Sequence, residues 1–143
     1  MTTTAGAAAP AAPPDFGALL RGYRLTEGLS QGELALRIRG LAPVPGVTDV
    51  AVAHWEAGRR VPRPMHLALI CRVFKLEAPA VYILVLSAAQ GNRNVMAFLR
   101  SFEATRGEEL GQSALAQAKR EEELVKAFYY YASTDFSAGR TEL

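Results

Sequence analysis

Apolar residues recur at helical spacing along most of the chain. Phe16, Leu19, Leu20 and Tyr23 fall at i, i+3, i+4 and i+7, one stripe of a helix from Asp15 to Glu27. Asp15 is its expected N-cap and Gly28 its C′ residue. Ser30 opens a second helix. Glu33, three residues on, completes a capping box in which each side chain satisfies a backbone N–H near the other. Leu34, Ala35 and Ile38 form the inner face, and Gly40, Pro43 and Pro45 stop the helix. Thr48 and Asp49 restart a helix with Val52 and Trp55 inside and Gly58 at its end. Arg59 to Pro64 reads as a basic extended link. The next helix, about Met65 to Phe74, turns Leu67, Ile70 and Phe74 inward, with Pro64 acceptable in its first turn.

The second half continues the pattern. Pro79 to Gln90 is apolar nearly throughout, and Val81, Ile83 and Val85 also permit a buried strand. No partner strand is evident, so a helix is expected. A sixth helix, Asn94 to Arg106, gathers Val95, Phe98, Leu99 and Phe102 on one face. A seventh, Glu108 to Ser133, collects Leu124, Val125, Phe128 and Tyr129 near its end. No period of 20–50 residues repeats. The fold class expected is all-α.

Composition narrows the chemistry. At 143 residues and 15.4 kDa the chain suits one domain, or one domain with an appendage. Cys71 is the lone cysteine, which excludes an internal disulfide and a cysteine-based zinc site, and the two histidines cannot complete a structural metal site without carboxylates. No Ser/His/Asp set, phosphate-loop pattern or metal cluster stands at plausible spacing, so no catalytic residue, metal or cofactor is expected and the protein is not expected to be an enzyme. The uncharged start, MTTTAGAAAPAAPP, lacks the basic and apolar regions of a signal peptide and reads as a disordered Ala/Pro tail. The most apolar run, Ala80 to Ala89, is far short of the about 20 residues of a membrane span. A cytoplasmic protein without a membrane partner is expected.

The net charge of +2 is unevenly placed. Residues 15–77 hold nine Lys/Arg against six Asp/Glu, an excess of three positive charges; residues 78–143 hold seven against eight, an excess of one negative. A polyanion would dock on the first half.

A helix-turn-helix needs a small residue where its helices cross, a turn between them and apolar residues that hold the second helix's angle. Ala35, Gly46, and Val52 with Trp55 meet those needs. Taken with Arg24, Gly28-Leu29-Ser30-Gln31, Glu33-Leu34-Ala35, Gly46-Val47-Thr48, Glu56, Gly58 and Pro62, they make the chain resemble the phage-repressor, Cro- and XRE-like helix-turn-helix family over roughly residues 15–77. The resemblance implies a compact five-helix domain whose third helix lies in the DNA major groove. It also implies that Gln31 bonds a phosphate at the head of the second helix, and that Arg24 and Glu56 form a structural ion pair between the first and third helices.

The chain departs from the family between the two helices. Alignment on Gly46 leaves seven extra residues, Arg39 to Pro45. They form a surface bulge that leaves the helix pair intact, or a loop that touches DNA backbone or a partner through Arg37 and Arg39, or an obstacle to docking. The bulge is the preferred expectation.

The expected base-reading residues are Thr48, Asp49, Val50, Ala51 and His54, at the start or on the outer side of the third helix. Val50 and Ala51 can touch a thymine methyl, and Asp49 can accept from cytosine N4 or simply cap the helix. None is an Arg, Asn or Gln, so modest base specificity is expected. Arg59, Arg60 and Arg63 are the expected phosphate contacts. For each of these residues the bland alternative is a solvated side chain. The expected division is a tail at 1–14, a helix-turn-helix DNA-binding domain at 15–91, a helical extension for oligomerisation at 92–133 and a flexible tail at 134–143. The function expected is a sequence-specific transcription regulator of bacterial or phage type, binding a palindrome as a homodimer. Its rival is a protein-interaction module: an antagonist or antitoxin that keeps the fold and acts on another regulator, a toxin or RNA polymerase.

Overall fold

The first helix begins with a cap. Asp15 accepts from the Ala18 amide at 2.9 Å and starts α1, Phe16–Thr26. Five further helices follow at short intervals: α2 Gln31–Leu41, α3 Asp49–Ala57, α4 Pro64–Val73, α5 Ala78–Ala89 and α6 Arg93–Phe102. A π-helical turn, Glu103–Gly107, widens the end of α6, and α7 runs Ala114–Glu142. This is a computed structural model, and it describes residues 14–107 and 113–142. All seven α-helices lie there, and no strand occurs among the described residues. The expected tail at 1–14 lies outside them except for Pro14, as does the expected start of the last helix at Glu108. That helix was expected to stop at Ser133; its backbone continues to Glu142.

Local chemistry sets the boundaries. The capping box forms as its spacing predicts: Ser30 Oγ accepts from the Glu33 amide at 3.0 Å, and Glu33 Oε1 accepts from the Ser30 amide at 2.7 Å. The α2 helix ends at Leu41 because the next residue, Ala42, precedes a proline and is held extended at φ −158° and ψ 146°. Gly58 closes α3 in the left-handed region at φ 78°. The β-branched α5 is a helix because it is wrapped on several sides: α1, α6 and α7 all pack against it.

The core has two joined parts. Leu20, Leu34, Ile38, Val47, Val52 and Leu67 fill the space among α1 to α4, and Leu84, Val85, Val95, Leu124 and Phe128 fill the space among α4 to α7. The apolar faces of α6 and α7 called for burial by a second copy or by their own chain; α7 packs on α4, α5 and α6 of its own chain, and Phe102, Leu124 and Phe128 are buried there. Each large apolar side chain fully buried this way contributes about 1.5–3 kcal/mol. Arg72 of α4 lies over the Tyr129 ring at 4.8 Å, and Phe98 meets Phe128 edge-on with centroids 5.6 Å apart. The last helix is thus built onto the N-terminal helices.

Candidate nucleic-acid interface

The helix pair is held at its head by a four-residue network. Arg24 projects from the last turn of α1 toward α3. Its Nε and Nη2 donate to Glu56 Oε2 at 2.5 Å and Oε1 at 2.8 Å, a two-pronged pairing. Its Nη1 donates to the Leu29 carbonyl at 2.9 Å, just before α2. Gln31, first residue of α2, donates from Nε2 to Glu56 Oε1 at 3.1 Å. One guanidinium thereby fixes α1, the entry to α2, and α3. The pair is nearly dry, with side chains 9 % and 4 % exposed. Burial pushes the Glu56 carboxyl up, but the bonds from Arg24 and Gln31 and the charges of Arg24 and Arg21 outweigh it and hold the group below its usual range. The bond to Glu56 raises Arg24 further. Gln31, expected at a phosphate, is therefore neither loose nor wholly solvated: one amide N–H is committed to the protein.

A close backbone approach adds to this anchoring. A Cβ at Gly17 would lie 2.3 Å from the Glu56 carbonyl oxygen and 2.8 Å from that of Trp55. No side chain fits where α1 crosses the end of α3. Sequence reasoning missed this residue, because its neighbour across the crossing is about forty positions away.

Most of Arg39 to Pro45 is exposed and α2 still packs on α3, so the segment is a surface bulge that leaves the helix pair intact, but it is pinned to the core. Val44 and Val47 are buried, and Arg39 Nη1 donates to the Val47 carbonyl at 2.5 Å. The Val44 amide donates back to the Ala42 carbonyl at 2.8 Å, and Gly46 turns the chain at φ 83°. Arg39, expected as a loop contact, braces the turn; Arg37 is exposed on α2, one turn beyond Glu33. Two valines serve as anchors, so the longer connection still delivers α3 beside α2.

The first turn of α3 is presented to solvent. Thr48 caps it, accepting from the Ala51 amide at 3.2 Å, and Asp49 Oδ1 accepts from the Val50 amide at 2.9 Å. Val50 is 57 % exposed, while Ala51 and His54 are half-buried. Asp49 stands against α2: a Cβ at Gly32 would be 3.8 Å from its own. Thr48 and Asp49 share a groove of about 490 Å³ with Ser30, Glu33, Leu36 and Arg39. At the far end of α3 the Arg59 and Arg60 amides both donate to the His54 carbonyl, at 3.0 and 3.4 Å, and both side chains are exposed. Arg63, also exposed, precedes Pro64 at the start of α4. The exposed first turn of α3 and the cationic link so lie at opposite ends of one helix about 14 Å long.

No group of three or more potential metal ligands occurs among the described residues, and no helix there is long and apolar enough to cross a membrane. Residues 15–81 match a family model described as a helix-turn-helix domain. No curated protein and no solved structure gave a significant match. A helix-turn-helix domain points in general to a DNA-binding regulator.

Proposed function

Starting from a helix-turn-helix domain at residues 15–81, we propose that the chain is a sequence-specific transcription regulator that binds palindromic double-stranded DNA as a homodimer in the cytoplasm. The observation that carries this reading is the exposed first turn of α3, held by the Arg24–Glu56–Gln31 network beside α2. Thr48, Asp49, Val50, Ala51 and His54 supply the reading edge. The major groove is about 12 Å wide, so a helix about 14 Å long that reads bases with its start brings Arg59 and Arg60 toward the flanking phosphates. Arg63 and the second amide N–H of Gln31 complete the phosphate contacts. One module of this size makes too few contacts for tight specific binding, and a two-fold pair doubles them. With the inner faces of α6 and α7 already covered, the dimer contact falls to what α7 leaves outside, Leu115 at 82 % and Tyr130 at 78 % exposed.

A second reading has its own observation. Leu36 and Leu41 on α2 are 61 % and 51 % exposed, and Leu36 shares the α2–α3 groove with the carboxylates of Glu33 and Asp49. An apolar and acidic surface there suits a protein partner, such as another regulator, a toxin or RNA polymerase. A gel-shift selection on random duplexes at two salt concentrations separates the two. An enriched palindromic sequence supports the regulator; no retained DNA, or retention without enrichment, sinks it in favour of the protein partner.

A further inference from the structure

The reading turn of α3 carries an unusual set of groups. From Thr48 to Ala57 there is no Arg, Lys, Asn or Gln. The two-pronged contacts that single out guanine and adenine in the major groove come from those residues. What the turn does offer is a branched methyl surface, Val50, backed by the Ala51 methyl, with a carboxylate next to it on Asp49. Val50 lies half out of the protein in the first turn of α3. It is no part of the core, and its neighbour Val52 is the inward residue that is fully buried. Asp49 uses one oxygen on the Val50 amide. An ionised carboxylate has about four lone-pair sites, so acceptor capacity remains on an exposed residue.

Each group has one good complement among base edges. A valine finds its apolar contact on the C5 methyl of a pyrimidine. A carboxylate, repelled by phosphates, is tolerated in the groove where it accepts from an exocyclic amine, of which cytosine N4 is the pyrimidine example. Resting on the DNA-binding reading above, we propose that Val50 is the specificity-determining residue of this chain and docks on a pyrimidine C5 methyl group, with Asp49 accepting from a cytosine N4 amine beside or at the same base. The C5 methyl is borne by thymine and by 5-methylcytosine, and both satisfy the valine.

The test uses the full chain on the duplex that selection enriches. Each thymine is replaced singly by uracil, which deletes only the methyl. At the Val50 position the replacement weakens binding about fourfold, the worth of one methyl-sized apolar contact, while uracil elsewhere changes little. At that same position 5-methylcytosine binds about fourfold tighter than cytosine. Val50→Ala, a change at an exposed helical position, brings both ratios close to one and leaves the circular dichroism spectrum unchanged. Equal affinity for thymine and uracil at every position overturns the proposal, and so does a uracil penalty that survives in Val50→Ala. Selective binding without methyl sensitivity removes this inference alone. Absence of selective binding removes the regulator reading and this inference with it.

Discussion

Replacing either partner of the Arg24–Glu56 pair leaves a charge where water barely reaches. Glu56→Leu strands a guanidinium that cannot shed its proton, left with only the Leu29 carbonyl at 2.9 Å. Removing one partner of a buried pair costs about 3–5 kcal/mol, and with one of three bonds kept the expected loss is about 4 kcal/mol. Arg24→Met keeps the stem and removes the fork. Glu56 then retains the Gln31 bond at 3.1 Å and can take up a proton, so about 3 kcal/mol is expected. The double variant Arg24→Met/Glu56→Leu strands neither charge, and its cost falls to about 0–2 kcal/mol. Small domains hold about 5–15 kcal/mol in all, so the single losses are readily measured. Urea unfolding followed by Trp55 fluorescence reports them, since Trp55 is the lone tryptophan and precedes Glu56. The effect has a pH signature. The folded Glu56 carboxyl lies below its usual range, so the unfolded chain binds the proton first as pH falls. The stabilisation is whole above the unfolded value of about 4.3 and is lost as pH drops through the lower folded one. Glu56→Leu therefore shows a shallower acid slope than the parent. Single losses under about 1 kcal/mol, or a double variant that equals the sum of the singles, would refute the reasoning.

Four further outcomes follow from the same structure. Gly17→Ala lowers stability by about 1–3 kcal/mol because backbone must move, whereas Gly22→Ala, with nothing within 4 Å of its new Cβ, is neutral or stabilising; thermal melts compare them. Val44→Ala costs about 1–2 kcal/mol in urea, where a solvated bulge would lose under about 0.5 kcal/mol. Burial pushes the Cys71 thiol up to about 12, so the folded protein resists a thiol reagent at pH 8 and reacts only as it unfolds. Arg59→Ala/Arg60→Ala weakens binding to all duplexes alike and flattens the log–log salt slope by about one unit for each phosphate no longer neutralised, without changing the melt; an unchanged slope removes the phosphate role.

The helices were legible in the sequence because their signals are local. Asp15, Ser30 with Glu33, and Thr48 each cap the helix they precede, and Pro64 takes the first helical position of α4. The Arg24–Glu56 ion pair followed from the family pattern and is present in the structure. Packing was harder to read. The stripe through Phe98, Phe102, Leu124 and Phe128 demands burial, but a stripe is the same whether a second copy or α4 and α5 covers it. The connection after α2 looked like an interruption because its prolines and glycine announce a turn. Nothing local says that Val44 and Val47 point into the core, or that Arg39 turns back to hold them. Gly17 stayed invisible for a related reason: its need for no side chain arises from a backbone reached only after α3 has folded across α1. The end of α7 was misplaced by its composition, since the residues after Ser133 carry no apolar stripe, yet the helix continues through them.

We propose that α3 reads base sequence while the arginines after it hold the backbone. Fluorescence anisotropy of the full chain on the selected duplex, in competition with a scrambled duplex of equal composition, tests it most directly. The expected preference for the selected sequence is about a thousandfold or more, with both affinities falling as salt rises. Equal affinity for the two duplexes would contradict it.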